Sequence, residues 1–96
     1  VALILSNAAD VDIADIAAYT IETWGIAQAD IYSEGLIDAM NGLVAVPKML
    51  APAADLPFLL CRVRYKSHYI YYRIERADVV VARILHKRMD PMRHLS

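Results

Sequence analysis

At 96 residues the chain has room for one domain with a single core and not for two. Its hydrophobic fraction of 58%, or roughly 55% on the usual count, exceeds the roughly 45–50% of ordinary globular domains, so part of the surface is expected to be covered by a partner. The formal net charge is only −1, yet residues 1–57 carry eight carboxylates against Lys48 alone, a net of −7, while residues 58–96 carry nine cations against Glu75, Asp78 and Asp90, a net of +6.

In chain order, the apolar run at residues 1–6 reads as a strand ending on Ser6 and Asn7, both good N-cap residues. A helix over 7–24 follows, with Ala9, Ile13, Ile16, Ala17, Thr20 and Trp24 on its apolar stripe and Asp12, Asp15 and Glu22 on its wet side. Gly25 stops it, as glycine does by accepting a left-handed backbone. A second helix over 27–46 places Ala29, Tyr32, Leu36, Met40 and Leu43 on one stripe, and Pro47 closes it. The short link at Gly25 makes the two an antiparallel hairpin. Pro47, Pro52 and Pro57 then punctuate an alanine-rich connector expected to be neither helix nor strand. No apolar run approaches the roughly 20 residues that span a bilayer, and no basic segment leads into an apolar one, so a soluble, cytoplasmic protein is expected.

Three alternating segments, 58–65, 68–75 and 79–86, read as an antiparallel meander, followed by a tail over 87–96 in which Pro91 can open a helical turn. A two-residue turn at Lys66 and Ser67 sets Val63 opposite Ile70, Cys61 opposite Tyr72 and Leu59 opposite Ile74. A slip of one residue turns every side chain over, so the second turn can be tested in the same way. Three residues, Arg76 to Asp78, place Ile74, Tyr72 and Ile70 opposite Val80, Ala82 and Ile84; two residues would bury Arg83 beside Ile70. The three-residue turn is therefore predicted, and the outer face collects Leu60, Arg62, Arg64, Tyr69, Tyr71, Arg73, Val79, Val81, Arg83 and Leu85. Trp24, Tyr32, Leu36, Met40, Ile70, Tyr72 and Ile84 are expected to share one core. The fold class is α+β, in the order β-α-α-β-β-β, with the helical hairpin on one face of a mainly antiparallel sheet.

The chemistry-bearing residues are few. Cys61, the one cysteine, cannot form an intramolecular disulfide and faces the core, where it serves as a small buried hydrophobe. There is no metal-ligand spacing, no glycine-rich phosphate loop and no Ser, His, Asp motif, so no metal, cofactor or catalytic residue is expected. His68 sits at a turn edge and His94 in the tail, and His86 reads as a structural or partner-contact residue. The arginine-rimmed apolar outer face suits an acidic amphipathic segment, bound as a helix or as an added strand. Tyr69, Tyr71, Arg64 and Arg73 could instead stack bases, but the interposed Leu60, Val79, Val81 and Leu85 argue against it.

The residues Ala9, Asp12, Ile13, Ile16, Tyr19, Trp24, Gly25, Gln28, Ala29, Tyr32 and Leu36, then Pro47, the run Ser67-His68 with Ile70 to Arg73, and Arg83 to His86 with Arg88 to Asp90, occur in an order and spacing that covers nearly the whole chain. In this distributed pattern the chain resembles the ParE-type toxins of bacterial toxin–antitoxin systems, in the RelE/ParE superfamily. It departs from them in lacking a glycine before the second strand and in having Lys87 where an acidic residue is expected. The resemblance implies a non-enzymatic toxin that inhibits DNA gyrase and forms a hetero-oligomer with a ParD-like antitoxin, with no sequence-specific DNA binding of its own. The RelE-like relatives imply the alternative, a ribosome-dependent messenger ribonuclease, in which Arg62, Arg73 or Arg83 would hold phosphate and His86 would act as general acid or base.

Overall fold

The computed structural model describes residues 2–45 and 52–95. Their elements run β1 (Leu3–Leu5), α1 (Asn7–Trp24), α2 (Ile26–Ala45), β2 (Cys61–Tyr65), β3 (His68–Glu75), β4 (Asp78–His86) and α3 (Pro91–His94). The sheet order is β1-β4-β3-β2, with β1 parallel to β4 and the other pairs antiparallel. Thus the first strand, reached again only after the helical hairpin and two strands, lies beside the last. Pro47 and the end expected for the second helix at residue 46 fall outside the described residues.

α1 begins where the sequence offers a cap. The Ser6 hydroxyl accepts from the Ala9 N–H at 3.0 Å and donates to the Ala82 carbonyl at 2.7 Å, so one side chain both starts the helix and ties it to β4. Gly25 ends α1 at φ 92°, its N–H donating to the Ile21 carbonyl at 2.9 Å. The main core lies between the hairpin and the sheet, where Ala9, Leu36, Met40 and Leu43 meet Cys61, Ile70, Tyr72, Val79, Val81 and Ile84.

The first hairpin has the expected register, with Val63 opposite Ile70 and Cys61 opposite Tyr72. β2 begins only at Cys61, however, because Phe58 and Leu59 take left-handed backbone at φ 60° and 59° and form a turn in place of a strand start. The second turn is corrected outright. It has two residues, Arg76 and Ala77, between the paired Glu75 and Asp78, and the third residue enters as a β-bulge further along. Ile74 and Tyr72 therefore face Val79 and Val81, while past the bulge Tyr71 faces Arg83 and Ile70 faces Ile84. Val79 and Val81 consequently belong to the main core and not to the outer face, and Ala82 moves to the outer side.

A further correction concerns Trp24, expected in the core and found 70% exposed at the hairpin tip. Tyr32 is half-buried at the rim, while Leu36, Met40, Ile70, Tyr72 and Ile84 share the core as expected. Two helical glycines in α2 differ sharply. A Cβ on Gly35 would collide with the Tyr65 ring, whereas one on Gly42 would meet nothing within 4 Å. Gly42→Ala should therefore raise the melting temperature, a stability gain of up to about 1 kcal/mol, and Gly35→Ala should lower it, a stability loss of about 1–3 kcal/mol despite the same gain in helix propensity. Paired thermal melts of the two variants check this.

Candidate functional site

β4 outlasts its neighbour β1, and the way its exposed edge is satisfied organises the region around it. β1 stops at Leu5 opposite Val81, leaving the backbone groups of residues 82–84 without a strand partner on that side. The Ser6 hydroxyl takes the Ala82 carbonyl, and the Asp12 carboxylate accepts the Ile84 N–H at 2.9 Å. Asp12, expected on the wet side of its helix, is instead 8% exposed. It is neutralised by Arg83 in a bidentate pair, Nε to Oδ2 at 2.8 Å and Nη2 to Oδ1 at 2.9 Å, and this bonding raises the Arg83 pKa. Arg83 also donates from Nη1 to the His94 carbonyl at 3.2 Å. Arg83 is thus committed to the fold.

The outer face of the sheet is partly occupied by the chain itself. Leu60, Tyr71 and Leu85 are buried with Leu56 and Leu95 in a second apolar cluster, where the segment before β2 and the end of the chain lie over the strands. Burial there pushes the Tyr71 phenol pKa up. Of the ten residues expected to line this face, Arg62 and Arg64 are exposed and Tyr69 and Arg73 half-buried. Arg62 bonds Asp55 at 3.2 Å and lies 5.6 Å from the Tyr69 ring centroid, Arg64 Nε donates to the Lys66 carbonyl at 2.7 Å, and Arg73 pairs with Glu75 at 2.8 Å. Being exposed, the Arg62–Asp55 and Arg73–Glu75 pairs exchange readily with another carboxylate. Sequence reasoning missed the apolar part of this edge, which is the Phe58-Leu59 tip, 66% and 75% exposed and immediately before β2. The signal was the missing glycine: a turn with two positive φ values normally selects Asn-Gly, and here large apolar residues carry that cost.

At the other end of the strands, His68 and His86 pair across β3 and β4 with rings 5.3 Å apart. The Tyr32 hydroxyl accepts the Ser67 N–H at 3.3 Å and donates to His68 Nδ1 at 2.7 Å. Burial, with the neighbouring His86 adding to it, lowers the His68 pKa to about 4, so the ring is neutral at pH 7. Because the folded value lies below the unfolded one of about 6.5, the unfolded chain takes up the proton first. The stabilisation is complete above about pH 6.5 and is lost as pH falls toward 4. For this half-buried ring the loss should be about 1 kcal/mol after solvent screening. Melting temperatures from pH 7.5 to 4.5 should show a fall that is smaller in His68→Asn.

Arg83 and His86 line one small pocket of about 170 Å³ with Asp12 and His94, but the Arg83 guanidinium is held by Asp12 within it. Cys61 is buried, and burial raises its thiol pKa, the opposite of what activates a nucleophile. Among the described residues no group of three or more His, Cys, Asp or Glu side chains is placed to hold a metal ion, and no helix is long and apolar enough to cross a membrane.

The described residues thus form an α+β domain with a helical hairpin across a four-stranded mixed sheet and a basic rim on one edge. The family described as "ParE toxin of type II toxin-antitoxin system, parDE" matches residues 3–91. Toxin ParE1 of Caulobacter vibrioides is 32% identical over 92 residues, covering 96% of this chain and 95% of that protein. Toxin ParE1 of Mycobacterium tuberculosis is 30% identical over 93 residues, covering 96% and 95%. A solved structure titled "Chromosomal ParDE TA system from P. aeruginosa" superposes with a TM-score of 0.78 at 15% identity, covering 88% of this chain and 94% of that one, and so shares the fold. The chain belongs to the ParE toxin family of type II toxin–antitoxin systems, a system that pairs each toxin with an antitoxin.

Proposed function

We propose that this toxin acts in the bacterial cytoplasm by binding and inhibiting DNA gyrase, with no chemical step of its own, and that a ParD-like antitoxin holds it by laying an acidic segment along the β2 edge of the sheet. The observation that carries the docking site is the composition of that edge. β2 ends the sheet with one side unpaired by any described strand, Arg62 and Arg64 project from it, Arg73 follows on β3, and Phe58 and Leu59 stand exposed at its start. An added strand would gain main-chain hydrogen bonds from the edge, charge pairing from the arginines and apolar contact from the tip. This narrows the expected surface. Leu60, Tyr71 and Leu85 support it from beneath, and Val79, Val81 and Arg83 drop out of it.

The two kinds of contact should separate kinetically. The double substitution Arg64→Glu and Arg73→Glu should slow association with the antitoxin at least tenfold at low salt, with the effect shrinking as salt is raised. Replacing Phe58 by Asn and Leu59 by Gly should instead speed dissociation while raising the melting temperature, because it relieves two left-handed positions. Surface plasmon resonance at two salt concentrations reads both. Unchanged kinetics in both variants would contradict the docking site.

A further inference from the structure

A cleft of about 540 Å³, in the size range of small-ligand sites, opens between the hairpin tip and the β2–β3 turn, and the docking and core arguments leave it unused. Its walls include Trp24 and Tyr19, 70% and 65% exposed. Its floor and rim carry Lys66, Ser67, His68 and His86. Lys66 Nζ is held 5.7 Å from the Tyr32 ring centroid and 5.5 Å from that of Tyr65, so its charge is positioned at the mouth. His68 Nδ1 is occupied by the Tyr32 hydroxyl, and His86 Nδ1 accepts the Arg88 N–H at 3.2 Å. With Nδ1 engaged in each ring, Nε2–H is the group left to meet a ligand, giving two donors that bond no described residue.

The charge of the cleft departs from that of the helices forming it. Although the half of the chain containing α1 and α2 carries eight carboxylates, the described lining contains none. Further cations flank it: the Lys87 N–H donates to the Ser67 carbonyl at 2.8 Å, which places Lys87 and Arg88 beside the β2–β3 turn. A ligand must therefore offer a flat apolar surface to two rings and an anion to an ammonium and two imidazole N–H groups. A simple carboxylate would leave the rings wet, and an apolar side chain would bury the donors without partners.

We infer that this cleft binds a nucleoside monophosphate group, with the base stacked on Trp24 and Tyr19 and the phosphate held by Lys66 and the two histidine Nε2–H groups. Base stacking on aromatic rings tolerates any base, so the site reads the nucleotide class and not a sequence. The group has two possible sources: a free nucleotide, or the phosphorylated end of a single strand.

Trp24 is the one tryptophan of the chain, so its fluorescence reports the site directly. Titration of the intact protein with adenosine monophosphate should give saturable quenching, with adenosine and inorganic phosphate each binding at least tenfold more weakly. Lys66→Gln, on an exposed turn, should weaken the monophosphate at least fivefold and leave adenosine unchanged. Tyr19→Ala should weaken both. A 5′-phosphorylated hexanucleotide that binds tighter than the mononucleotide assigns the site to a strand end, and equal affinity assigns it to a free nucleotide. Lack of saturable quenching by any of these ligands overturns the inference, as does equal binding of adenosine and its monophosphate. Quenching by the antitoxin alone would give the cleft to the protein partner and overturn it equally.

Discussion

Asp12→Ala should cost about 3–5 kcal/mol, a large share of a small domain's stability. The carboxylate is the hub of three bonds, two from Arg83 and one from the Ile84 N–H, and it lies in the contact between α1 and β4. Removing it leaves a half-buried guanidinium facing no counter-charge and a backbone donor without an acceptor, each with its own desolvation penalty. Asp12→Asn should be milder, because one amide oxygen can still accept the Ile84 N–H while the charge on Arg83 goes unanswered. Urea denaturation checks the order, with the alanine variant least stable. The same pair forbids using Arg83→Glu to probe the antitoxin contact, since it would set a second carboxylate against Asp12.

Leu36→Ala should cost about 2–5 kcal/mol through the cavity it opens. Leu36 is 1% exposed and joins α2 to the same cluster as Met40, Ile70 and Tyr72. It also lies one residue beyond Gly35, where the Tyr65 ring presses on the helix backbone and the Tyr65 hydroxyl donates to the Tyr32 carbonyl at 3.3 Å. That contact fixes the height of α2 above the sheet, so the helix cannot settle to fill the void, which favours the upper part of the range. The denaturant midpoint should fall with little change in slope.

Much of the fold was legible because the patterns were clean. Ser6, Gly25 and the 3.6-residue stripe through Leu36, Met40 and Leu43 fixed the helices, and alternation through Cys61, Val63 and Tyr65 fixed the first hairpin. The second hairpin failed for a definite reason. Val79, Val80 and Val81 are apolar in succession, so nothing local marks which of them faces the helices, and only Arg83 and Ile84 beyond them carry a phase. A two-residue turn plus one bulged residue gives those distal positions the same phase as a three-residue turn. Asp12 was misplaced because helical periodicity ranks an acid as solvent-facing and cannot show that a strand edge 72 residues away lacks a partner. Trp24 fell on the stripe by spacing, but as the last residue of α1, at the hairpin tip, it stands 70% exposed. The docking surface proposed above draws on charge that the sequence displays, in Arg62, Arg64 and Arg73, but its shape was not legible, since the covering of Leu60, Tyr71 and Leu85 depends on where the connector and the tail fold back.

The central claim, that this toxin acts by binding gyrase and not by chemistry on RNA, is tested most directly with purified components. Relaxed plasmid, DNA gyrase and ATP are incubated with the toxin, with and without its antitoxin, beside a parallel reaction of translating ribosomes on a defined message. The account predicts loss of supercoiling or accumulation of cleaved plasmid, reversal of either by the antitoxin, and an intact message in the ribosome reaction, with His86→Gln behaving as the unmodified protein does. Undiminished supercoiling together with ribosome-dependent cleavage of the message, abolished by His86→Gln at an unchanged melting temperature, would contradict it.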